Sequence, residues 1–451
     1  MDSGPARWVD DRVGAASFAD RTFDKVFPDH WSFMLGEIAL YSFLVLVVTG
    51  TFLALFYVGS SADVIYRGSF VPLRGTPVSA AYDSVLHLSF DVRAGLVMRQ
   101  THHWAALVFI GAIVVHLCRI FFTGAFRRPR EINWVLGMTL LLLAMFNGFS
   151  GYSLPDDLLS GTGLRIAYSI ALSVPVIGPW IAFLLFGGEF PSDQILGRLL
   201  TLHMFVVPAA IAAVLSAHLA LVWHQKHTQF PGPGRTESNV IGSRLWPTYA
   251  AKSAGLLFLV AAMLVALGGL VQINPVWAYG PFHATQVTSP AQPDWYLGWL
   301  EGALRLFPSW QITAFGYQIP EPFFPGVLLP GITFGLLYAW PFLERRFTHD
   351  DAEHHLLDRP RSRPVRTSLG VATLAFYAIL FLSATNDLIA RWLSASVERI
   401  TMIFRSLLLL VPPIAAYITY RICRGLARAG EETALTHAPW SAFRHRDRGE
   451  G

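Results

Sequence analysis

Charge is scarce in this chain of 451 residues: Asp, Glu, Lys and Arg make up 14% of it, while 53% is hydrophobic. So few charges in a chain of this length exclude a soluble enzyme built round one core and indicate a polytopic membrane protein. Cysteine is scarcer still, with only Cys118 and Cys423. Two thiols cannot build a disulfide framework, no C-x-x-C-H run offers covalent attachment of a c-type haem, and there is no cysteine set for an iron–sulfur cluster. Any such centre belongs on a partner chain. The N-terminal stretch MDSGPARWVDDRVG lacks the apolar core of a cleavable signal, so the first apolar helix is expected to insert and stay. The net charge of +4 comes from basic residues at the ends of apolar segments. Membrane topology accounts for them better than nucleic acid does, and nucleic-acid binding is discarded.

A helix needs ~20 apolar residues to cross a bilayer, and eight segments qualify: 33–58, 102–122, 134–153, 198–223, 254–272, 323–343, 368–390 and 401–422. A ninth run, 166–186, is long enough but is interrupted by Pro175, Gly178 and Pro179. Basic residues decide its place. Arg127, Arg128 and Arg130 follow the second segment, Lys226, Arg235, Arg244 and Lys252 the fourth, and Arg345, Arg346, Arg359, Arg361, Arg363 and Arg366 the sixth. All three loops are cytoplasmic by the positive-inside rule only if 166–186 does not cross, so it is expected within a hairpin, 155–190, on the outer surface. Arg67, Arg74, Arg93 and Arg99, in the loop before the second segment, run against this assignment. The expected organisation is a cytoplasmic N-terminal segment (1–32), a four-helix bundle (33–225), a C-terminal membrane domain (226–425) and a cytoplasmic tail (426–451). The fold class is all-α, an eight-helix membrane bundle.

Four histidines lie inside these apolar segments. His102 and His116 are fourteen residues apart, which on an α-helix is ~21 Å along the axis and roughly 40° around it, so they share a face. His103 would lie about 140° from His116, so His102 is its partner. His203 and His218, fifteen apart, repeat the arrangement at ~22 Å and about 60°. A single intramembrane histidine is ordinarily a hydrogen-bonded core residue or a member of a proton path. Four rings at two matching depths are better satisfied by two metal centres, each with a ring above and below. Tetrapyrrole iron is the natural occupant, because a bare ion would want three or four ligands at one level.

Gly36 and Gly50 in the first segment, and Gly137 and Gly151 in the third, repeat the fourteen-residue spacing. Glycine lets another body approach the helix backbone, so these four are expected to make room for the macrocycles, beyond the small-residue packing usual between membrane helices. Arg99 and Arg119, each three residues from a ligand, are placed to pair with haem propionates or to anchor the helix at the interface. Pro208 must free a backbone carbonyl, and a local kink there is expected to aim His203.

The histidine pairs, the paired glycines, FRRPREINW after the second segment and PDWY at 293–296 resemble cytochrome b of the cytochrome bc1 complex. HTQFPGPGRTE at 227–237, with PDWY in place of the more widespread PEWY, is similar to the actinobacterial branch. The match covers about residues 29 to 425. It implies a subunit of a quinol–cytochrome c oxidoreductase that oxidises quinol on the outer face. One electron goes to a Rieske iron–sulfur protein, and the other crosses two b haems to quinone near the cytoplasm, with proton translocation. By position, His102 and His203 would hold the outer, low-potential haem, and His116 and His218 the inner, high-potential one. Asp294 stands at a quinol-facing carboxylate with Tyr296 beside it, and Tyr152 aligns with a tyrosine of the same pocket. The resemblance also implies a homodimer in the cell membrane, a di-haem c-type cytochrome, an aa3-type oxidase and menaquinone.

Two departures stand out. The family's LPWGQ reads LPDDL, with Asp156 and Asp157, and its Lys-Asp pair before the fifth segment reads Lys252-Ser253. His224 with Lys252 becomes the expected polar set of the inner quinone site, although Lys252 is equally a topological anchor and His224 a helix-end cap. A di-haem b anchor of another quinone-linked oxidoreductase is the alternative, and it would lack the PDWY loop. A transporter using the histidines as a proton relay would show helices broken at the membrane midplane, which are not evident.

Overall fold

The computed structural model describes residues 22–287 and 292–436, together with Trp8, Asp10 and Arg12. Among them are eight helices long and apolar enough to cross a membrane: α1 (Trp31–Ala54), α2 (Gly95–Thr123), α3 (Glu131–Tyr152), α4 (Ile195–Gln225), α5 (Leu245–Leu270), α6 (Phe324–Thr348), α7 (Pro364–Ser383) and α8 (Val397–Ala429). All eight segments read from the sequence are present. Most begin earlier than their apolar runs, because a helix continues through the polar residues that sit at its ends. The last helix runs on to Thr436, so the expected tail from 426 is helical in its first part. Most of 1–32 and residues 437–451 lie outside the described residues.

The spans are apolar on nearly every side and leave residues such as Val48, Phe258, Leu259 and Leu409 exposed. A helix that is hydrophobic all round suits hydrocarbon, where its backbone groups are satisfied within the helix. Small hydroxyls inside the spans turn back on their own helix. Ser42 Oγ donates to Ile38 O at 2.8 Å and Thr49 Oγ1 to Val45 O at 2.7 Å, so they leave no open donor.

α1 packs on α2, α5 lies against both, and α3 packs on α4 and α6, while α7 and α8 form a pair with the short helix Trp295–Leu306. One buried cluster, including Phe109, Ile110, Met138, Leu141 and Tyr296, fills the space among α2, α3 and that short helix. A second, including Ala303, Leu380, Ile400 and Phe404, joins Trp295–Leu306 to α7 and α8.

The 166–186 run is broken as its prolines and glycine require. It forms parts of two helices, Leu158–Leu172 and Gly178–Phe186, of 15 and 9 residues, each shorter than a span. They pack through Leu164, Ala171, Ala182 and Phe186 onto Leu196 and Leu199 at the start of α4. Asp157 caps the first of them in a reciprocal box with Ser160, and Leu158 N donates to Gly280 O at 2.9 Å, tying the hairpin to the α5–α6 connection.

Three helices carry a π-turn: Leu202–Val206 in α4, Leu245–Tyr249 at the start of α5 and Phe324–Leu328 at the start of α6. A proline lies in or just beyond each, at 208, 247 and 325. A proline that cannot donate leaves a carbonyl free, and a widened turn is one way to absorb it. The distortion expected at Pro208 is thus a π-turn that contains His203.

The loop arginines are also structural. Arg366 binds Glu344 and Asp358, Arg127 pairs with Asp358, and Arg130 donates to the carbonyls of His354 and Gln225, which locks the connections after α2, α4 and α6 together.

Candidate functional site

α2 and α4 bring four imidazoles together in two pairs. The rings of His102 and His203 lie 6.2 Å apart between centroids, inclined at 74°. They line a cavity of about 450 Å³ with Gly50, Gly151 and Arg99. His203 Nδ1 faces the carbonyl of Asn147 at 3.0 Å, and a carbonyl can only accept, so this nitrogen carries the proton. His102 Nδ1 meets Thr49 Oγ1 at 2.9 Å. That hydroxyl already donates to Val45 O, so it accepts from His102. Both Nε2 atoms are therefore left with the free lone pair that a metal needs. At the other level His116 and His218 lie within electrostatic reach of each other; the Nδ1 atom of His116 is buried without a partner, and His218 is turned toward the backbone carbonyl of Asn133, as His203 is toward that of Asn147.

Each ring stands against one glycine of a neighbouring helix. A Cβ on Gly36 would lie 3.3 Å from His116 Cε1, and on Gly50 3.1 Å from His102 Cε1. On Gly137 it would lie 3.8 Å from His218 Cε1, and on Gly151 2.4 Å from His203 Cε1. Beside the expected clearance of the macrocycles, each of these glycines also clears the edge of an imidazole. The ring must stand between two helix backbones to point its Nε2 inward, and a glycine provides that width.

Arg99 lines the upper cavity. Its Nη atoms donate to Asn274 O at 3.2 and 3.3 Å, while its Nε is buried without a partner. Arg119, at the other level, has Nε and Nη2 buried and unpartnered, with its guanidinium 4.3 Å from the centre of the Phe33 ring. A buried guanidinium left half-satisfied calls for an anion. Among the described residues no three His, Cys, Asp or Glu side chains converge as a bare-metal site would require. Two rings per level, a cavity between one pair, an unpartnered His116 nitrogen at the other and an arginine beside each fit a planar, carboxylate-bearing tetrapyrrole.

The same cavity continues to Asp294, Tyr152 and His103. His103 Nε2 lies 2.8 and 3.0 Å from the two oxygens of Asp294, with the side chains 16% and 11% exposed. Tyr296 OH stands 3.5 Å from Asp294 Oδ2 and fits where a Cβ on Gly148 would lie 2.6 Å away. Tyr152 OH donates to Leu159 O at 3.4 Å. His103 is the member the sequence reading left without a role once it was excluded as a ligand. Its position about 100° round the helix from His102 was the available sign that it faces another partner. LPDDL also acquires a meaning. Asp157 is the buried cap of the hairpin, and burial pushes its pKa up to about 6 against the hydrogen bonds from Ser160 and the charge of Arg99. Asp156 turns the chain with φ of 53°, and burial raises its pKa too.

Near the N-terminal end of α1, Lys252 Nζ pairs with Asp29 at 2.7 Å, while His224 is exposed at the end of α4. The structure does not bring these two into one set. The inward-facing histidine is His227, which rests on Phe27 at 4.5 Å between ring centroids; burial and then Lys25, Arg130 and Arg119 push its pKa down to about 4. Ser253 meets Glu37, an acid within the first span that the reading of Lys252 and Ser253 passed over.

A family model described as "Cytochrome b(N-terminal)/b6/petB" matches residues 107–281. Over 430 residues the chain is 53% identical to a cytochrome bc1 complex cytochrome b subunit of Mycobacterium tuberculosis, covering 95% of this chain and 78% of that protein. This chain belongs to the cytochrome b subunits of the cytochrome bc1 complex. The subunit of the same name from Streptomyces coelicolor is 48% identical over 430 residues, covering 95% of this chain and 79% of the other. That from Corynebacterium diphtheriae is 51% identical over 424 residues, covering 94% and 78%. The family is thus matched in its actinobacterial form, as the 227–237 motif and PDWY implied. A solved chain titled "Hyperthermophilic respiratory Complex III" superposes with a TM-score of 0.67 at 19% identity, covering 92% of this chain and 99% of that one, and agrees in fold. Membership implies haem b, quinone and partner subunits, and with the eight spans it makes the chain an integral membrane protein of respiratory electron transport.

Proposed function

We propose that this chain oxidises quinol at the outer pocket and delivers its two electrons to different acceptors. One goes to a Rieske iron–sulfur protein and the other across two b haems to quinone at an inner site, coupled to proton translocation. The observation that carries this reading is the pairing of four imidazoles at two levels, each ring backed by a glycine and each level flanked by an arginine. His102 and His203 would hold the outer haem and His116 and His218 the inner one, with Arg99 and Arg119 toward their propionates. When bound, each haem supplies a one-electron iron couple inside hydrocarbon.

The chain's own residues manage the protons. Asp294 sits at the wall of the cavity, where a quinol hydroxyl can reach its carboxylate, and takes the proton there. His103 fixes that carboxylate, Tyr296 offers it a second, longer contact, and Tyr152 lines the cavity. By its family the complex would work as a homodimer in the cell membrane with its N-terminus in the cytoplasm. Menaquinol is the proposed substrate, and a di-haem c-type cytochrome and an aa3-type oxidase are the proposed acceptors beyond the Rieske protein. A redox titration of the purified complex tests the reading: it should resolve two b-type couples, and a quinone-site inhibitor should shift one of them. A single couple would overturn it.

A further inference from the structure

Glu37 is an acid six residues into the first membrane span, next to Gly36, whose backbone faces His116. Its carboxylate receives three hydroxyls from two helices: Ser253 Oγ at 2.8 Å and Tyr41 OH at 3.3 Å on Oε2, and Tyr249 OH on Oε1. Tyr41 and Ser253 also face each other, so one of these two hydroxyls shares its proton between the carboxylate and its neighbour. Among the described residues no cation pairs with Glu37. An acid within a membrane span is costly to keep, and one without a counter-ion is most readily kept where it exchanges a proton.

The surroundings lead from this carboxyl to the surface. Tyr249 is stacked on Phe27, with ring centroids 4.3 Å apart, and lies within electrostatic reach of Asp29. Asp29 is held by Lys252 and Ser243, and the Lys252 and Asp29 side chains are 50% and 44% exposed. Hydroxyl groups can both donate and accept, so Tyr249 and Ser253 can exchange protons with the carboxyl that they bond.

We infer that Glu37 is the group that hands protons to quinone at the inner site. The inference rests on the proposed function for the quinone itself. Reduction of quinone to quinol takes two electrons, which arrive from the inner haem, and two protons. For each proton the O–H bond of the Glu37 carboxyl breaks as a quinone O–H bond forms. The carboxylate is then reloaded from water on the N-terminal side.

The test uses the whole purified complex with the outer site blocked by an inhibitor, and a water-soluble naphthoquinol as reductant of the inner haem. Glu37→Gln keeps a side chain that can bond all three hydroxyls, so haem content should hold while this reduction slows by roughly 10- to 1000-fold. Ser253→Asp in the same chain puts a carboxylate on the side chain whose hydroxyl lay 2.8 Å from the lost one, and should restore much of the rate. A redox-induced infrared difference spectrum of the wild-type complex labelled with ¹³C-glutamate should show a protonated carboxyl band that shifts with the label and is missing in Glu37→Gln. An unchanged rate in Glu37→Gln, or the absence of that band in the wild type, would overturn the inference. If Glu37→Gln loses haem, Glu37→Asp, which keeps a carboxyl, decides: the ¹³C-glutamate band should vanish from it, and a band that remains would overturn the inference. Failure of the wild-type complex to reduce its inner haem under these conditions would instead overturn the proposed function.

Discussion

Replacing Gly151 with alanine should expel the outer haem, whereas the same change at Gly137 should leave the inner haem in place. The new methyl group at 151 would lie 2.4 Å from His203 Cε1 and 3.0 Å from both ring nitrogens. Carbon atoms prefer about 3.5–4.0 Å, so the ring must retreat by more than ~1 Å. It has little freedom to do so, because Asn147 and Ser150 of α3 hold its Nδ1. Overpacking of this kind costs about 1–3 kcal/mol, and at about 1.4 kcal/mol per tenfold that is roughly 5- to 150-fold in haem retention. At Gly137 the nearest atom is 3.8 Å away, an ordinary contact, and alanine gains about 1 kcal/mol of helix propensity over glycine. Gly50, at 3.1 Å, and Gly36, at 3.3 Å, should fall between the two in that order. Haem-to-protein ratios with reduced-minus-oxidised spectra of the four variants give the ranking. Equal loss at Gly137 and Gly151 would refute the reasoning, since it would mean that the glycines serve the macrocycle and the distance to the imidazole is irrelevant.

Replacing His116 or His218 should remove the inner haem and leave the outer one largely in place, because the two levels are ~20 Å apart and share no ligand; difference spectra that lose both would count against separate levels. Asp294→Asn should slow quinol oxidation by roughly 10- to 1000-fold with haem content intact, and His103→Ala should slow it less. Loss of the outer haem in His103→Ala would overturn the assignment of His102. Asp157, with its pKa raised from 3.8 to about 6, stabilises the folded hairpin below pH ~4 relative to neutral pH, and this advantage is lost as the pH rises through ~6. The shift corresponds to about 3 kcal/mol. Asp157→Asn keeps a capping side chain and should therefore raise the protection of amides in 158–172 against exchange at pH 8, and remove the change in that protection between pH 4 and 6; unchanged protection would contradict the burial argument.

The spans and the paired imidazoles were legible in the sequence for different reasons. The spans need only long apolar runs, and the imidazoles declare themselves by a spacing that puts rings on one face at two depths. Helix ends were less legible, because α2 and α4 carry their helical geometry past the apolar residues into Arg99 and Gln225. His103 and Asp294 are separated by 191 residues, and no local pattern joins them. Glu37 was visible as an acid in an apolar run, but two of its three partners, Tyr249 and Ser253, come from α5, 212 and 216 residues along the chain. Asp157 could have been read as a cap from its place before Leu158-Leu159-Ser160, had the hairpin's first helix been given a start.

The π-turn at Leu202–Val206 changes what the residue count between two ligands means. A turn that closes i to i+5 takes one more residue than an α-turn. His203 and His218 are fifteen positions apart in sequence, but one of those positions is taken up by the widened turn. In geometric register they are fourteen apart, the same as His102 and His116 on α2 and as Gly137 and Gly151 behind them on α3. An extra residue in this helix is thus absorbed locally, and the two pairs of rings stay level across the bundle.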